Sequence, residues 1–282
     1  MINEKIGNAL RIFGRIIINV ALWLLSITCI FPIVWMIYSS LKTQREFAVD
    51  IISLPQKPAF SNYVQAITEG NLGTYFMNSV YYTVISVLIA VLLSFVIGYI
   101  LSRFKFRGRT FVYYFFLAGM LIPIYALLIP IFLEFKAFGL LNKRITLILP
   151  YIAFALPVGV FLVESYVKAI PWEMEEAACM DGCKFGQTMS RIILPMCQPV
   201  LSTTAILSFL NTWNEFPLAL VLIRSNRLKT MPLGVTNFVG TYTVNYPLMF
   251  AALSISALPV IIVYLLFCSK VMNGMVSGAV KG

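Results

Sequence analysis

Six long apolar segments constrain this chain more than any other feature of its sequence. Each has roughly 20 residues or more, the length that an α-helix needs to cross a hydrocarbon core about 30 Å thick. The pattern predicts an all-α membrane protein with six transmembrane helices. The predicted spans are Ile16–Leu41, Tyr75–Leu101, Phe111–Phe132, Ile145–Val163, Val200–Ile223 and Met249–Ser269.

The composition agrees with a membrane location. Hydrophobic residues make up 60% of the 282 positions and charged residues 11%, whereas soluble domains carry about 25% charge. The net charge of +10 comes from short basic clusters beside the apolar segments, which favours contact with a bilayer and its anionic lipids over nucleic acid. The first apolar run, Ile16–Ser39, has 24 residues without a charge. It is too long for a removable signal sequence and is predicted to remain as a helix.

Two prolines in the third predicted span and two in the fourth make these spans the least regular. A proline frees a backbone carbonyl and kinks the helix, so neighbouring helices must satisfy that carbonyl. We therefore expect kinked helices there, rather than a substrate site at each proline. The residues concerned are Pro123, Pro130, Pro150 and Pro157.

The distribution of basic residues predicts the orientation of the chain. An even number of spans puts both termini on one side. The loop Arg103–Arg109 has four basic residues in seven positions and no acid, which is typical of the cytoplasmic side. Both termini and the polar segment Glu175–Pro199 are then cytoplasmic, and Lys42–Thr74 and Arg224–Leu248 lie on the outer side. The second of these outer loops either dips toward the centre of the bundle or covers it.

The side chains that enzymes and metal sites most often use are scarce. The chain has no histidine and five cysteines. Cys179 and Cys183 have helical i, i+4 spacing, but no further ligand pair is near enough in the sequence to complete a tetrahedral metal site. The absence of histidine also removes the commonest general base. The sequence therefore argues against ordinary hydrolytic chemistry and against a metal site at Cys179 and Cys183.

The segment Glu175–Pro199 is polar, although apolar segments surround it. Pro171 and the glutamates after it are typical of a helix N-terminus, where negative charge is stabilised. Asp181-Gly182 is a turn signal, and a second, amphipathic helix is predicted up to Pro195. This helix–turn–helix either docks a protein partner or lies in the lipid interface, and its acidic residues favour a partner. The apolar stripe of the second helix consists of Phe185, Met189, Ile192 and Ile193.

Short motifs along nearly the whole chain follow the order found in one family. The chain contains SLKT with Glu46-Phe47, Asn62-Tyr63, Asn78-Ser79, GY before SRFKFRGR, EEAACMDGC, Gly186, RIILPMCQP, NTWNEFPLAL, MPLG and GAVKG. In these motifs it resembles the permeases of ABC importers, in particular the maltose-type carbohydrate-uptake branch. Cys183 departs from the family, which commonly has alanine there, and the change is from one small residue to another.

The resemblance implies a single type I ABC importer transmembrane domain over residues 1–282. It has an N-terminal helix at about 16–41, a core five-helix permease unit at about 75–269 and a cytoplasmic tail at about 270–282. A cytoplasmic EAA coupling helix within about 171–195 docks on a separate ATPase. The implied ATPase-coupling residues are Glu175, Glu176, Ala177, Ala178, Asp181, Gly182, Gly186 and Pro195.

The same resemblance implies the partners. The chain is one of two related permeases that form a heterodimer in the bacterial cytoplasmic (inner) membrane. The resemblance implies a transport subunit that is not an enzyme and binds no cofactor or metal itself. Two partner ATPase subunits bind ATP and Mg, since nothing in this chain resembles a GxxxxGK[ST] phosphate-binding loop. An extracytoplasmic solute-binding protein delivers a sugar or oligosaccharide. The alternative is an importer of the same build for another solute, such as glycerol phosphate or a polyol. A membrane-embedded enzyme and a free-standing channel fit less well, because histidine is absent and a channel needs no acidic helix–turn–helix.

Glu215 is the one carboxylate inside the fifth predicted span. A charge at that depth is costly, so its side chain is expected to face the bundle or a water-filled space. Asn211, Trp213 and Asn214 lie beside it, and the indole ring offers a stacking face for a sugar. These four residues either line the translocation pathway or hold helix ends together near an outer gate, and the structural or gating role is favoured. The C-terminal tail either contacts the ATPase or is a frayed terminus. The residues of the tail that are candidates for this contact are Gly278, Lys281 and Gly282.

Overall fold

The fold is built from α-helices joined by short loops. It is known from a computed structural model that describes residues 2–238 and 244–279, with side chains from 13 to 267 outside that gap. The long helices are α1 (Ile2–Ser39), α4 (Leu72–Arg103), α5 (Arg109–Gly119), α6 (Ile124–Ala137), α7 (Ile148–Ala169), α11 (Gln198–Trp213) and α14 (Tyr246–Ala279). The short helices are α2 (Gln44–Val49), α3 (Ser61–Thr68), α8 (Glu173–Met180), α9 (Phe185–Gln187), α10 (Leu194–Met196), α12 (Pro217–Leu222) and α13 (Met231–Val235). A π-helical turn (Thr188–Ile193) links α9 to α10, and single 3-10 turns cover Asn226–Leu228 and Thr236–Phe238.

The described residues contain four helices that are long and apolar enough to cross a membrane, or up to six when each of two bent helix pairs counts as one span. The four continuous spans are Phe13–Ser39, Leu72–Arg103, Ile148–Ala169 and Tyr246–Phe267. They correspond to the first, second, fourth and sixth predicted spans. The predicted all-α membrane fold is thus confirmed, with six spans as the upper count.

The third predicted span is two helices rather than one kinked helix. The axes of α5 and α6 differ by 103°, and the break lies just before Pro123. A residue that precedes proline is disfavoured in the helical region, so α5 ends at Gly119 and α6 begins after the proline. Pro130 is tolerated inside α6. The break thus depends on where a proline lies, and not simply on its presence.

The fifth predicted span also differs from the structure. It was expected to run to Ile223, but α11 ends at Trp213 and a separate helix, α12, begins at Pro217. At its other end, α11 is bent by 73° from the preceding helical segment Phe185–Met196. The helix stops because Pro217 has no N–H to continue it, and the Glu215 carboxylate caps the next helix instead. Glu215 therefore lies in a turn between two helices.

The chain divides into two compact units, and the first consists of Met1–Gly70 with Phe238–Ile255. Phe47 packs in an aromatic group with Trp35 and Phe250, at ring-centroid distances of 6.1 and 5.6 Å. Buried Lys42 donates hydrogen bonds to the carbonyl oxygens of Asp50 (2.9 Å) and Ile51 (3.2 Å). These contacts give the polar loop after α1 a fixed conformation.

The second unit consists of Asn71–Asn237 with Ser256–Gly282. Its most extensively packed helix pair is α4 and α7. A Cβ at Gly98 would crowd Val163, and one at Gly159 would overlap Ser94. Small residues allow membrane helices to approach closely, so these two glycines set the spacing of the pair.

The beginning of α4 holds the predicted outer loop. The Asn78 side chain donates to the carbonyl oxygens of Arg227 and Lys229, both at 2.9 Å, and the Ser79 hydroxyl accepts from Met231 N–H at 2.7 Å. A Cβ at Gly234 would overlap the Tyr75 ring. Side chains of α4 thus hold this part of the loop through hydrogen bonds to its backbone.

Two buried clusters lie along the second unit. The first includes Tyr82, Leu147, Tyr151, Leu218 and Leu222. The second is built from α4, α7 and the region around α10, and its members include Phe95, Tyr99, Val163, Val167 and Cys197. Each cluster supports one of the candidate sites described next.

Candidate functional site

The polar segment 171–195, called here the coupling segment, begins with α8. Three glutamates lie in the first turn of α8 (Glu173, Glu175, Glu176), where the helix dipole favours negative charge. The helix ends in a Schellman motif: Gly182 N–H donates to the Cys179 carbonyl oxygen (3.0 Å), and Cys183 N–H donates to that of Ala178 (2.9 Å). The turn predicted at Asp181-Gly182 is therefore present.

Gly182 is required by the geometry of this turn. Its φ angle is +84°, a left-handed conformation that L side chains rarely adopt. A Cβ built at Gly182 meets nothing within 4 Å. The constraint within this chain is therefore conformational, and the space outside the turn is open.

The second half of the coupling segment is a short helix, a π-turn and another short helix, rather than one regular helix. The Lys184 N–H donates to the Gln187 side chain at 2.8 Å, which starts α9. In the predicted apolar stripe, Ile193 is fully buried, whereas Phe185 is 53% exposed. The Phe185 ring lies 5.9 Å from that of Tyr99 and 5.5 Å from that of Phe104.

The predicted coupling residues separate into two groups by burial. Ala178 is buried, with 4% exposure, and Glu175 is half-buried. These two side chains face the rest of the chain, whereas the other predicted residues form an exposed surface. The members of that surface are Glu176, Ala177, Asp181, Gly182, Gly186 and Pro195.

Glu175 is fixed by two side chains from the last turns of α4. Arg103 Nε lies 2.5 Å from Glu175 Oε1, and the Tyr99 hydroxyl donates to Oε2 at 2.8 Å. Arg103 Nη2 also donates to the Ile170 carbonyl oxygen at 2.9 Å, and the guanidinium lies 5.0 Å from the Trp172 ring centroid. The α4 residues Tyr99 and Arg103 therefore belong to this site.

Sequence reasoning missed Tyr99 and Arg103 as site residues. In the sequence, Arg103 was noted only as part of a basic loop and Tyr99 only as part of a family motif. Their i, i+4 spacing was the available signal, because residues four apart on a helix share one face. Nothing local indicates that this face meets Glu175.

A second carboxylate, which is fully buried, lies near the same end of the helices. Glu164 on α7 is 2% exposed and forms ion pairs with Lys168 and with Arg109, whose Nη2 is 3.8 Å away. Lys168 also lies over the Tyr113 ring at 5.5 Å. This group connects α5 to α7, and sequence reasoning did not identify it.

The other candidate site surrounds Glu215, between α11 and α12. Leu218 N–H donates to Oε1 at 2.6 Å and Ala219 N–H to Oε2 at 3.2 Å, so the carboxylate caps α12. The Tyr151 hydroxyl donates to Oε2 at 2.8 Å. A cavity of about 240 Å³ adjoins this group, and Asn211 is among its lining residues.

The two neighbours of Glu215 that follow Thr212 have structural partners. Trp213 is 2% exposed, and its indole N–H donates to the Ser256 carbonyl oxygen at 3.1 Å. Its ring packs between Phe76 and Phe209, at 5.6 and 5.7 Å. The indole thus lies among aromatic side chains of its own chain, and the sugar-stacking role suggested for it stays a prediction. The Asn214 side chain donates to the Leu210 carbonyl oxygen at the end of α11.

The three tail candidates lie at or beyond the end of the described chain. Gly278 is within α14, which extends to Ala279. Lys281 and Gly282 lie outside the described residues. As for metals, the described residues contain no group of three or more His, Cys, Asp or Glu residues that could hold an ion.

Apolar spanning helices together with an exposed polar helix–turn–helix define the class of this protein, an integral-membrane protein. Residues 94–271 match the family described as "Binding-protein-dependent transport system inner membrane component", and the chain belongs to that family. The resemblance inferred from the motifs is therefore confirmed, and the chain is a permease subunit rather than an enzyme.

Relatives cover nearly the whole chain. A diacetylchitobiose uptake system permease protein of Streptomyces coelicolor is 35% identical over 92% of this chain and 86% of its own length. A trehalose/maltose transport system permease protein of Thermococcus litoralis is 31% identical over 96% of this chain and 99% of its own length. In a solved bacterial ABC transporter involved in alginate import, one chain matches with a TM-score of 0.81 and 26% identity, over 92% of this chain and 96% of that one.

Proposed function

We propose that this chain is one permease of an ATP-driven importer that carries a sugar or oligosaccharide across the bacterial cytoplasmic membrane. The observation that carries the proposal is the exposed surface of the coupling segment around Gly182, in a chain of the binding-protein-dependent transport family. A helix end with open space at its glycine allows close approach of a partner's backbone. In this proposal the partner is an ATPase subunit.

The substrate class rests on what the relatives share. Their names specify diacetylchitobiose, starch degradation products, trehalose or maltose, and arabinooligosaccharides, and the solved relative takes part in alginate import. All of these are carbohydrates, although they differ in size and charge. A carbohydrate is therefore the substrate class we propose for this chain, and glycerol phosphate or a polyol is the alternative that the experiment below separates.

The proposed assembly has a second, related permease, two cytoplasmic ATPase subunits that bind ATP and Mg, and an extracytoplasmic binding protein. Both termini and the coupling segment face the cytoplasm. The basic loop Arg103–Arg109 supports this orientation, because it adjoins the coupling segment through the contact of Arg103 with Glu175. Gly278, Lys281 and Gly282 remain the proposed tail residues that reach the ATPase.

For the pathway, we propose unequal roles for the four candidate residues. Asn211 is exposed and lines the cavity beside Glu215, which suits a contact with substrate hydroxyls. Glu215 acts as a gate residue, because it holds α12 against Tyr151. Trp213 and Asn214 support the end of α11, where the first is buried and the second caps the helix.

The test is reconstitution in nanodiscs of this chain with the permease, ATPase and binding protein encoded beside its gene. We expect the ATPase subunits to remain bound during purification. We also expect the binding protein loaded with a carbohydrate to stimulate ATP hydrolysis severalfold. Stimulation by glycerol phosphate or a polyol alone would replace the proposed substrate class. Failure of any ATPase to bind the wild-type chain would overturn the proposed function.

A further inference from the structure

We propose that Tyr99 and Arg103 are positioning residues that transmit movement between the coupling segment and the membrane helices. With Glu175 they form a group called here the α4 clamp. In this arrangement Glu175 is the attachment point of the coupling segment inside its own chain, and it does not contact the ATPase. The inference rests on the proposed function, because it requires an ATPase that moves the coupling segment.

The α4 clamp holds both halves of the coupling segment. The Tyr99 hydroxyl donates to Glu175 of α8 at 2.8 Å, and the same ring lies against that of Phe185 of α9, with centroids 5.9 Å apart and the planes tilted by 39°. These two contacts lie on opposite sides of the turn at Gly182. One tyrosine therefore links both short helices to the end of α4, so that a movement of the segment acts on α4.

The ion pair in the α4 clamp is shielded from solvent. The side chains of Arg103 and Glu175 are only 7% and 12% exposed, with Nε and Oε1 2.5 Å apart. An exposed ion pair contributes little, but removal of one partner from a shielded pair leaves the other charge without compensation. The Ile170 carbonyl oxygen and the Trp172 ring hold the guanidinium in one orientation. The contact is thus fixed in geometry and costly to break.

Helix α4 connects the clamp with the opposite end of the second unit. It has 32 residues, which at 1.5 Å per residue is roughly 48 Å. Its last turns carry the clamp, and its first turns hold the loop at Arg227–Met231 through Asn78 and Ser79. Close packing at Gly98 joins it to α7 on the way. A displacement applied at Glu175 therefore acts on a rigid element that reaches the loop.

The two neighbouring glutamates of α8 have different surroundings. Glu175 is half-buried in the clamp, whereas Glu176 is exposed on the surface with Gly182. Glu173 lies in the same helical turn and is also exposed. A neutralised carboxylate at each position changes the charge of α8 equally. The three positions thus separate effects of the clamp, of the docking surface and of charge alone.

The experiment uses the full transporter in proteoliposomes. Four variants are compared with wild type: Glu175→Gln, Arg103→Gln, Tyr99→Phe and, as the matched control, Glu173→Gln. Three quantities are measured for each: ATPase subunit retained on purification, ATP hydrolysed, and substrate imported per ATP. We expect Glu175→Gln and Arg103→Gln to retain the ATPase while import per ATP falls about three- to thirtyfold. Tyr99→Phe should lower it about threefold, and the control should match wild type.

The double variant Arg103→Gln with Glu175→Gln tests whether the two residues act as one unit. We expect its loss of import per ATP to be no larger than that of Arg103→Gln alone, because a shared interaction can be removed only once. Independent, multiplying losses would overturn the assignment. The variant Glu176→Gln should instead lower ATPase retention.

Other outcomes would also overturn the inference. Import per ATP at the wild-type ratio in Glu175→Gln and Tyr99→Phe would remove the α4 clamp from transmission. Loss of ATPase binding in Glu175→Gln to the same extent as in Glu176→Gln would make Glu175 a docking residue. If the Arg103→Gln transporter does not assemble, the result for Tyr99→Phe tests the inference instead, since this variant removes one oxygen atom only. The failure of the proposed function looks different, because the wild-type chain would then bind no ATPase.

Discussion

Two glutamate–tyrosine pairs in the second unit share one contact and differ in all others. In each pair the tyrosine hydroxyl donates to a carboxylate oxygen at 2.8 Å, Tyr99 to Glu175 and Tyr151 to Glu215. The first carboxylate also forms an ion pair with the Arg103 guanidinium. The second also accepts hydrogen bonds from two backbone N–H groups of α12. The same acid–hydroxyl contact is therefore used once with a side-chain cation and once as a helix cap.

The difference matters because the two kinds of partner respond differently to movement. Backbone N–H groups at a helix start stay in place while the helix exists, so the Glu215 pair maintains local structure. A guanidinium on another helix keeps its contact only while the two helices remain together. The contacts of Glu175 thus depend on the position of α8 relative to α4. From this we expect changes near Glu215 to affect stability first, and changes near Glu175 to affect coupling first.

The largest effect is expected from Gly182→Trp in the coupling segment. The left-handed turn (φ +84°) disfavours any L side chain by about 1–2 kcal/mol, and the bulk fills the space proposed for the ATPase. We predict at least a hundredfold loss of ATP-driven uptake with normal membrane insertion. Uptake assays in vesicles and quantitative immunoblots of the membrane fraction measure the two quantities.

Gly139→Trp is the matched control for that variant. Gly139 also has a positive φ, of +64°, and open space around a Cβ, but it follows α6, outside the coupling segment. It should retain most of the uptake. Equal losses in the two variants would attribute the effect to backbone strain, and uptake at the wild-type rate by Gly182→Trp would end the coupling assignment.

Glu215→Ala should have the next largest effect. This effect is mainly on the free energy of unfolding, whereas that of Gly182→Trp is on ATP-driven uptake. The change leaves two α12 N–H groups and the Tyr151 hydroxyl without their acceptor, and each buried unsatisfied group costs about 1–3 kcal/mol. We predict a loss of roughly 3–5 kcal/mol in the free energy of unfolding, together with a fall in uptake. Unfolding by SDS titration of the purified complex measures the first quantity.

Glu215→Gln separates the cap from the charge, since the amide oxygen still accepts one or two of these hydrogen bonds. It should recover about half of the lost stability. Transport at the wild-type rate by Glu215→Ala would remove this residue from both the pathway and the gate.

The matched tyrosine variants compare the two pairs directly. Tyr151→Phe and Tyr99→Phe each remove one oxygen that donates to a carboxylate, an interaction that contributes about 1.5–3 kcal/mol. We expect Tyr151→Phe to lower the unfolding free energy by about 2 kcal/mol at unchanged import per ATP. Tyr99→Phe should lower import per ATP with a smaller change in stability. If the two variants shift the same quantity by the same amount, the distinction between the pairs is lost.

The spanning regions could be predicted from the sequence because lipid imposes its requirement on composition and length alone. The helix breaks could not. Pro130 and Pro157 lie inside helices, whereas Pro123 and Pro217 mark the start of new ones. One residue type continues a helix at some positions and ends it at others. The outcome at Pro217 depends on the Glu215 cap and on Tyr151, a residue 64 positions away.

The candidate site shows the same division between local and distant information. The turn at Gly182 was predictable because Asp-Gly chemistry is local. The contact of Glu175 with Tyr99 was not, since Tyr99 is 76 positions away in the chain and the pair is brought together by the packing of α4 against α7. Glu175 and Glu176 look alike in sequence, and only burial separates them. The surroundings of Trp213 could not be predicted for a related reason, because its neighbours Phe76 and Ser256 come from distant helices.

The smallest effect is expected from Asn211→Ala, which tests whether the Glu215 region also contacts substrate. Asn211 is exposed to the cavity of about 240 Å³, and the Glu215 cap does not include it. Loss of one neutral hydrogen bond to a sugar hydroxyl costs about 1 kcal/mol. We therefore predict an increase of about threefold to fivefold in the substrate concentration for half-maximal uptake, with unchanged unfolding free energy. The matched control is Asn214→Ala, which removes a helix cap and should lower stability without changing that concentration. If both variants alter stability alone, the Glu215 region is purely structural, and the two pairs then differ in kind: one serves the fold and the other serves coupling.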